Sequence, residues 1–204
     1  MKKVCIHQPN FLPWKGYFDK IAESDLFVIL DDVQFTKGSY ISRVFVNGND
    51  GFFKNLTVPV NYSFGQKINE VKLYKPQIYL KKIGRKLDYE YKAIDIRIRE
   101  VFNQDFTDLL SLNLALIKAV MEVLHIETPI VLSSTLSLNN TKSDLILAIM
   151  EAVEGSVYNC GGGVNKYLEL DKFKEAGIEV RFSDYKTTNN ITSIIEYLKN
   201  GNQK

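Results

Sequence analysis

Cys5-Ile6-His7-Gln8-Pro9-Asn10-Phe11-Leu12-Pro13-Trp14-Lys15-Gly16-Tyr17-Phe18 is the stretch on which the reading of this chain turns. A hydrophobic stub, Val4-Cys5-Ile6, runs into a histidine, a glutamine and an asparagine, with two prolines and the only tryptophan around them. Lys3 to Ile6 reads as a first strand and Trp14 to Ala22 as a first helix, with Tyr17, Phe18 and Ile21 on one face. Ser24-Asp25 breaks that helix. Leu26-Phe27-Val28-Ile29-Leu30 is then a continuous apolar run, as expected of a strand buried on both faces of a parallel sheet, and it ends at Asp31-Asp32. Strand, turn, helix, strand is a βαβ unit with a right-handed crossover. Polar groups at the end of a first strand, in a proline-stiffened turn before a helix, stand where α/β proteins place ligands.

Outward from this unit the chain changes character and then returns to it. Tyr40 to Asn47 and Phe52 to Val60 flank the turn signal Asn47-Gly48-Asn49-Asp50-Gly51 and read as a hairpin; Ile68 to Leu73 reads as a further strand. Gln77 to Tyr91 and Phe106 to Leu124 read as helices, the second carrying a wide apolar stripe that includes Leu109, Leu112, Leu116 and Val120. Strands are expected over Pro129 to Leu132, Ser156 to Asn159 and Ile178 to Phe182. Helices are expected over Lys142 to Val153, Asn165 to Ala176 with Gly177 as C-cap, and Thr192 to Leu198. The class is α/β: a Rossmann-like, mostly parallel sheet with helices on both faces and a β-hairpin plus helical insertion, in one domain over residues 1–204.

Composition excludes several functions. The 204 residues are 45% hydrophobic and 25% charged, as in a globular protein with a substantial core. A formal net charge of +2 is too small to make nucleic acid or an anionic membrane the main partner. Cys5 and Cys160 lie far apart and form no CxxC pair, which argues against a zinc knuckle or a disulfide framework and for reduced thiols. No segment reads as a signal peptide or membrane span, so a cytoplasmic location without membrane insertion is expected.

Three polar clusters fall where parallel strands should end: His7, Gln8 and Asn10; Asp31, Asp32 and Gln34, followed by Lys37 and Arg43; and Asn159-Cys160-Gly161-Gly162-Gly163 with Tyr167. Carboxyl ends of parallel strands share one edge of a sheet, so the clusters can converge. His7 can act as acid, base or hydrogen-bond donor near neutral pH, or simply tie the turn to the backbone. Asp31 and Asp32 point to opposite faces and so have different tasks: one can accept a substrate hydroxyl, bind a metal or act as base, or one instead simply caps the following turn or pairs with Arg43. A histidine with one aspartate is too small a set for a metal site, and none is assigned. Bare amides at Gly161 to Gly163 before a helix suit a phosphate, or make a tight turn. Ser133-Ser134-Thr135 adds hydroxyls. Lys81, Lys82, Arg85 and Lys86 read as a solvated basic helix face, and His125 as a surface or capping residue.

The run His7-Gln8-Pro9-Asn10-Phe11-Leu12-Pro13-Trp14 with Gly16-Tyr17-Phe18, then Asp31-Asp32-Val33-Gln34-Phe35, strongly resembles the WbqC-like family. Further matches are Arg43 with Asn47-Gly48, Leu56 to Val60, Ile68, Asn113, Ser133-Ser134, Tyr158 to Gly162, Tyr167-Leu168 and Gly177-Ile178. The resemblance implies a role in bacterial O-antigen or other surface-polysaccharide biosynthesis, as acyl or aminoacyl transfer onto the amine of a nucleotide-linked amino sugar. On that reading His7, Asp31 and Asp32 are the catalytic candidates. Gln8, Asn10, Trp14, Gln34, Arg43, Ser134 and Tyr167 would bind substrate, and Gly161, Gly162 and Gly163 the diphosphate. The acyl donor and any cofactor stay unknown, and a homo-oligomer stays open. The chain departs from the pattern at Lys186 to Asn190, where a substrate contact would be replaced. Strand, His-containing turn, helix, strand, then Gln-Phe is also similar to the opening of HIGH-type nucleotidyl transferases and pantothenate synthetase-like ligases, although the second histidine of that signature is absent. A non-catalytic sugar-nucleotide-binding protein is the third reading.

Overall fold

A computed structural model describes residues 1–47, 53–90, 94–161, 164, 168–182 and 192–199. The chain builds two compact units. The first is formed by Met1–Gln8, Gly16–Asp31 and Glu127–Thr188, the second by Pro9–Lys15, Asp32–Ile126 and Asn189–Lys204.

The first unit is a five-stranded parallel sheet. Its strands are β1 (Lys3–His7), β2 (Leu26–Ile29), β7 (Ile130–Leu132), β8 (Val157–Cys160) and β9 (Glu179–Phe182), in the order β7-β2-β1-β8-β9. Counted along the sheet strands alone this is 3-2-1-4-5, the order of a Rossmann-like half-sheet. Each neighbouring pair is parallel, with Cys5 beside Phe27, Val28 beside Val131 and Tyr158 beside Val180. The apolar run of β2 is buried throughout, as its composition requires. Helix α1 (Lys15–Ala22) covers the face of β1 that carries Cys5 and His7: the Tyr17 ring meets His7 edge-on at 4.8 Å and Phe27 at 5.5 Å. Met150, on α5 (Lys142–Ala152), shares the other face with Val4. Both crowd Gly155, where a Cβ would come within 2.7 Å of either side chain. Helices therefore flank the sheet on both faces.

Several boundaries shift from the sequence reading for local reasons. The helix expected from Asn165 begins, in the described part, as α6 (Leu170–Glu175), with Glu169 at its N-cap. It ends as expected at Gly177, whose φ of +70° suits glycine; Ile178 N–H donates to the Phe173 carbonyl at 2.8 Å and closes the turn.

The second unit holds the insertion. Strands β3 (Arg43–Asn47) and β4 (Phe53–Thr57) form the expected antiparallel hairpin, its turn residues 48–52 lying outside the described ones. The segment read as one strand over Ile68 to Leu73 is instead a 3-10 turn (Ile68–Glu70) followed by the two-residue β6 (Lys72–Leu73), paired with β5 (Val60–Asn61). Here the Glu70 carboxylate accepts from the Lys67 backbone and favours the turn. Helix α2 (Pro76–Glu90) is followed by a short helix that sequence reading missed, α3 (Ile96–Val101), capped by Asp95 accepting from the Arg97 N–H at 2.9 Å. Helix α4 (Leu109–Val123) starts three residues later than expected because the Asp108 side chain caps it through the Ser111 N–H at 2.8 Å. Helix α7 (Ile194–Lys199) closes the unit.

Asn113 is the polar anchor of this unit. Fully buried on α4, its amide donates to the Pro9 and Ile41 carbonyls, each at 2.8 Å. Asn113→Ala would strand two buried carbonyls. We expect a loss of about 2–3 kcal/mol, at 1–3 kcal/mol for each unsatisfied buried group. The fluorescence of the single tryptophan, Trp14, belongs to the same unit and reports it. An unchanged urea midpoint would show that Asn113 does not carry this role.

Candidate functional site

In the order 3-2-1-4-5 the crossovers leave β1 and β8 toward opposite sides, the arrangement that in open α/β sheets forms a crevice at the carboxyl ends of the two strands. His7 ends β1, and Cys160 with Gly161 ends β8. On α1, Tyr17 and Lys20 are three positions apart and so share a face. Lys20 is buried, at 4% exposure; its Nζ lies 5.9 Å from the Tyr17 ring centre and 4.0 Å from where a Cβ on Gly161 would stand. The Gln8 carbonyl collects two donors, the Tyr17 hydroxyl at 3.0 Å and His7 Nδ1 at 3.1 Å. Its acceptance assigns the ring proton to Nδ1 and the lone pair to Nε2.

Burial sets the protonation of this cluster. His7 is pushed down to about 3, first by burial and then by the neighbouring Lys20 charge, with the Gln8 carbonyl opposing. Burial likewise lowers Lys20 below the ordinary lysine value. The thiols move the other way: burial raises Cys5 to about 11 and Cys160 to about 12, so both stay protonated and neither is a ready nucleophile. The crevice thus presents a neutral imidazole and an amine biased toward its neutral, basic form.

Asp31, 1% exposed, sits one strand along the same edge. Its carboxylate accepts from Ser133 Oγ at 3.1 Å and from Ser134 N–H and Oγ at 3.0 and 2.7 Å, and its own N–H reaches Ser133 Oγ at 3.2 Å. That network clips the end of β2 to the end of β7, and it occupies Ser134, which was read as a substrate contact. Asp32, Asn10, Trp14, Gln34 and Arg43 lie in the second unit. There Asn10 is buried, Trp14 packs 6.2 Å from Tyr40, Gln34 is exposed and bridges to Lys67, and Arg43 lies over the Phe45 ring. Gly162, Gly163 and Tyr167, like residues 186–190, lie outside the described residues. His125 is exposed just beyond α4, as read from sequence. Among the described residues no group of three or more His, Cys, Asp and Glu is placed to hold a metal ion.

Lys20 is the residue that sequence reading passed over. Its signal was present: Tyr17, Lys20 and Ile21 stand at i, i+3 and i+4, which places a lysine on the buried stripe of α1. Leu12 is a second signal visible only in three dimensions. Its φ of +43° is strained for a non-glycine residue, and the turn around it is held by Ser193 Oγ on the Leu12 carbonyl at 3.0 Å and Ile194 N–H on the Pro13 carbonyl at 2.7 Å.

The fold defines an α/β protein of the Rossmann-like class. Residues 8–193 match the model of the WbqC-like protein family, and the chain belongs to that family. It is 32% identical over 194 residues to the "Uncharacterized protein Rv1507c" of Mycobacterium tuberculosis (strain ATCC 25618 / H37Rv), covering 91% of this chain and 83% of that protein. No solved structure matches the chain. Among the described residues no helix is long and apolar enough to cross a membrane.

The depressed imidazole gives a signed pH dependence. The unfolded chain takes up the His7 proton near 6.5, the folded one near 3. This stabilisation is complete above pH 6.5 and is lost as the pH falls toward 3. Between pH 7.5 and 5 the loss amounts to about 2 kcal/mol. Urea unfolding followed by circular dichroism should show that loss, and His7→Gln should flatten it. An equal pH slope in both proteins would assign the effect to other groups.

Proposed function

We propose that the protein transfers an acyl or aminoacyl group to the amine of a nucleotide-linked amino sugar in bacterial surface-polysaccharide assembly. The observation that carries this reading is the buried Lys20 beside neutral His7 at the crevice between β1 and β8. Amide formation needs a base, because the sugar amine sheds a proton as its nitrogen bonds the acyl carbon. Lys20 in its neutral form takes that proton. The oxyanion of the tetrahedral intermediate is met by backbone amides near Gly161. Collapse breaks the bond to the donor's leaving group, which recovers the proton from the Lys20 ammonium. His7, fixed by Gln8 as the Nδ1–H tautomer, offers Nε2 as acceptor to a substrate hydroxyl or ammonium. The substrate class is what the resemblance to the WbqC-like family implies; the buried amine supports the reaction class.

Mass spectrometry of a panel of nucleotide amino sugars with acyl-CoA and aminoacyl donors tests the reading. Wild-type protein should give an N-acylated product. Lys20→Met, which keeps length and apolar packing, should lower kcat about 100-fold or more, the range for a lost general base. The kcat profile should rise with pH to a midpoint below 10.5, the ordinary lysine value. Full turnover by a folded Lys20→Met protein would refute the assigned base. Release of pyrophosphate from ATP without acylation would favour nucleotidyl transfer, and ligand binding without any product a binding protein.

A further inference from the structure

Within the second unit α2 and α3 enclose a cleft of about 290 Å³, lined by Lys81, Gly84, Arg85, Arg99, Phe102 and Asn103. Gly84 makes the cleft: a Cβ there would stand 2.9 Å from the Phe102 Cβ, so only glycine lets the two segments close to this distance. Lys81 and Arg85, one turn apart on α2, then face Arg99 of α3 across the cavity. The basic run of α2 is therefore more than a solvated surface, since two of its cations border a shaped space with a third from another helix. Neither Lys81 nor Arg85 has a hydrogen bond or ion pair to a described residue. The Asn103 amide donates to the Glu100 carboxylate at 3.3 Å, which leaves the Asn103 carboxamide oxygen as the acceptor of that side chain.

We infer that this cleft binds the phosphate or diphosphate group of a small anionic ligand. Lys81 and Arg85 bring two exposed like charges to one cavity, and a compact polyanion relieves their repulsion while accepting the guanidinium and ammonium donors. The cavity is at the small end of ligand sites, which matches one or two phosphates and not a polynucleotide track. Phe102, 2% exposed, supplies a floor and no stacking platform, so the contact is with phosphate and not with a base. This site is independent of the acyl-transfer reading, which concerns residues of the other unit.

The test uses inorganic pyrophosphate on the full chain, with calorimetry for affinity and amide chemical shifts for location. Binding should shift the Gly84, Phe102 and Asn103 amides and weaken as salt is raised. Arg85→Gln should weaken it about tenfold, the loss of one charge-assisted contact. Lys82→Gln, which removes the same charge from a neighbouring residue that does not line the cleft, should leave it unchanged. Equal weakening by both substitutions would reduce the effect to general charge and overturn the site. So would shifts confined to other residues, or tighter binding of a single-stranded oligonucleotide through the same amides. Both variants keep Arg99 and Gly84, so circular dichroism should show native folding in each.

Discussion

The central position of β1 is the constraint on which the first unit depends. β1 pairs with β2 along Val4 to His7 and with β8 at Lys3 and Val4, so both its edges are satisfied and its side chains must be apolar through Ile6. Because the chain leaves β1 toward β2 and later re-enters beyond it at β8, no crossover covers the carboxyl end of β1. The first polar residue after the buried run, His7, therefore arrives at the one place along the sheet where the topology leaves a crevice. Tyr17 and Lys20 reach it because α1 must return over the same face to begin β2.

Charge is managed differently in the two units. At the crevice, an amine, an imidazole and two thiols are buried together, and desolvation drives each toward its neutral form: amine and imidazole down, thiols up. The α2–α3 cleft of the second unit keeps Lys81 and Arg85 at the surface, where water pays their solvation and their charge remains available to an anion.

Buried polar residues divide between holding the fold and doing chemistry, and hydrogen-bond partners tell them apart. Both Asp31 oxygens are taken by Ser133 and Ser134, so its carboxylate is a clip between neighbouring strand ends. Asn113 spends both donor hydrogens on the Pro9 and Ile41 carbonyls. Residue type alone marks such positions as polar and buried, or as members of a family pattern, without saying which of the two tasks they perform.

How much was legible follows from the range of each interaction. Apolar runs such as Leu26 to Ile29, the stripe of α4 and the glycine C-cap at 177 are short-range signals, and they sufficed for the α/β class and the βαβ opening, while the motifs at His7 to Phe18 and Asp31 to Phe35 carried the family. Local capping by Asp95 and Asp108 moved helix boundaries that periodicity alone blurred. The amino-acid order thus determined the strands, their parallel character and the polar turn after β1, because periodicity and burial act within a few residues. Only the tertiary structure decided that β8 lies beside β1, that Lys20 is buried at their shared edge, and that Arg99 joins Lys81 and Arg85 around a cleft. Each of these joins residues far apart in sequence, and such pairings depend on strand order and helix packing, which no local pattern encodes.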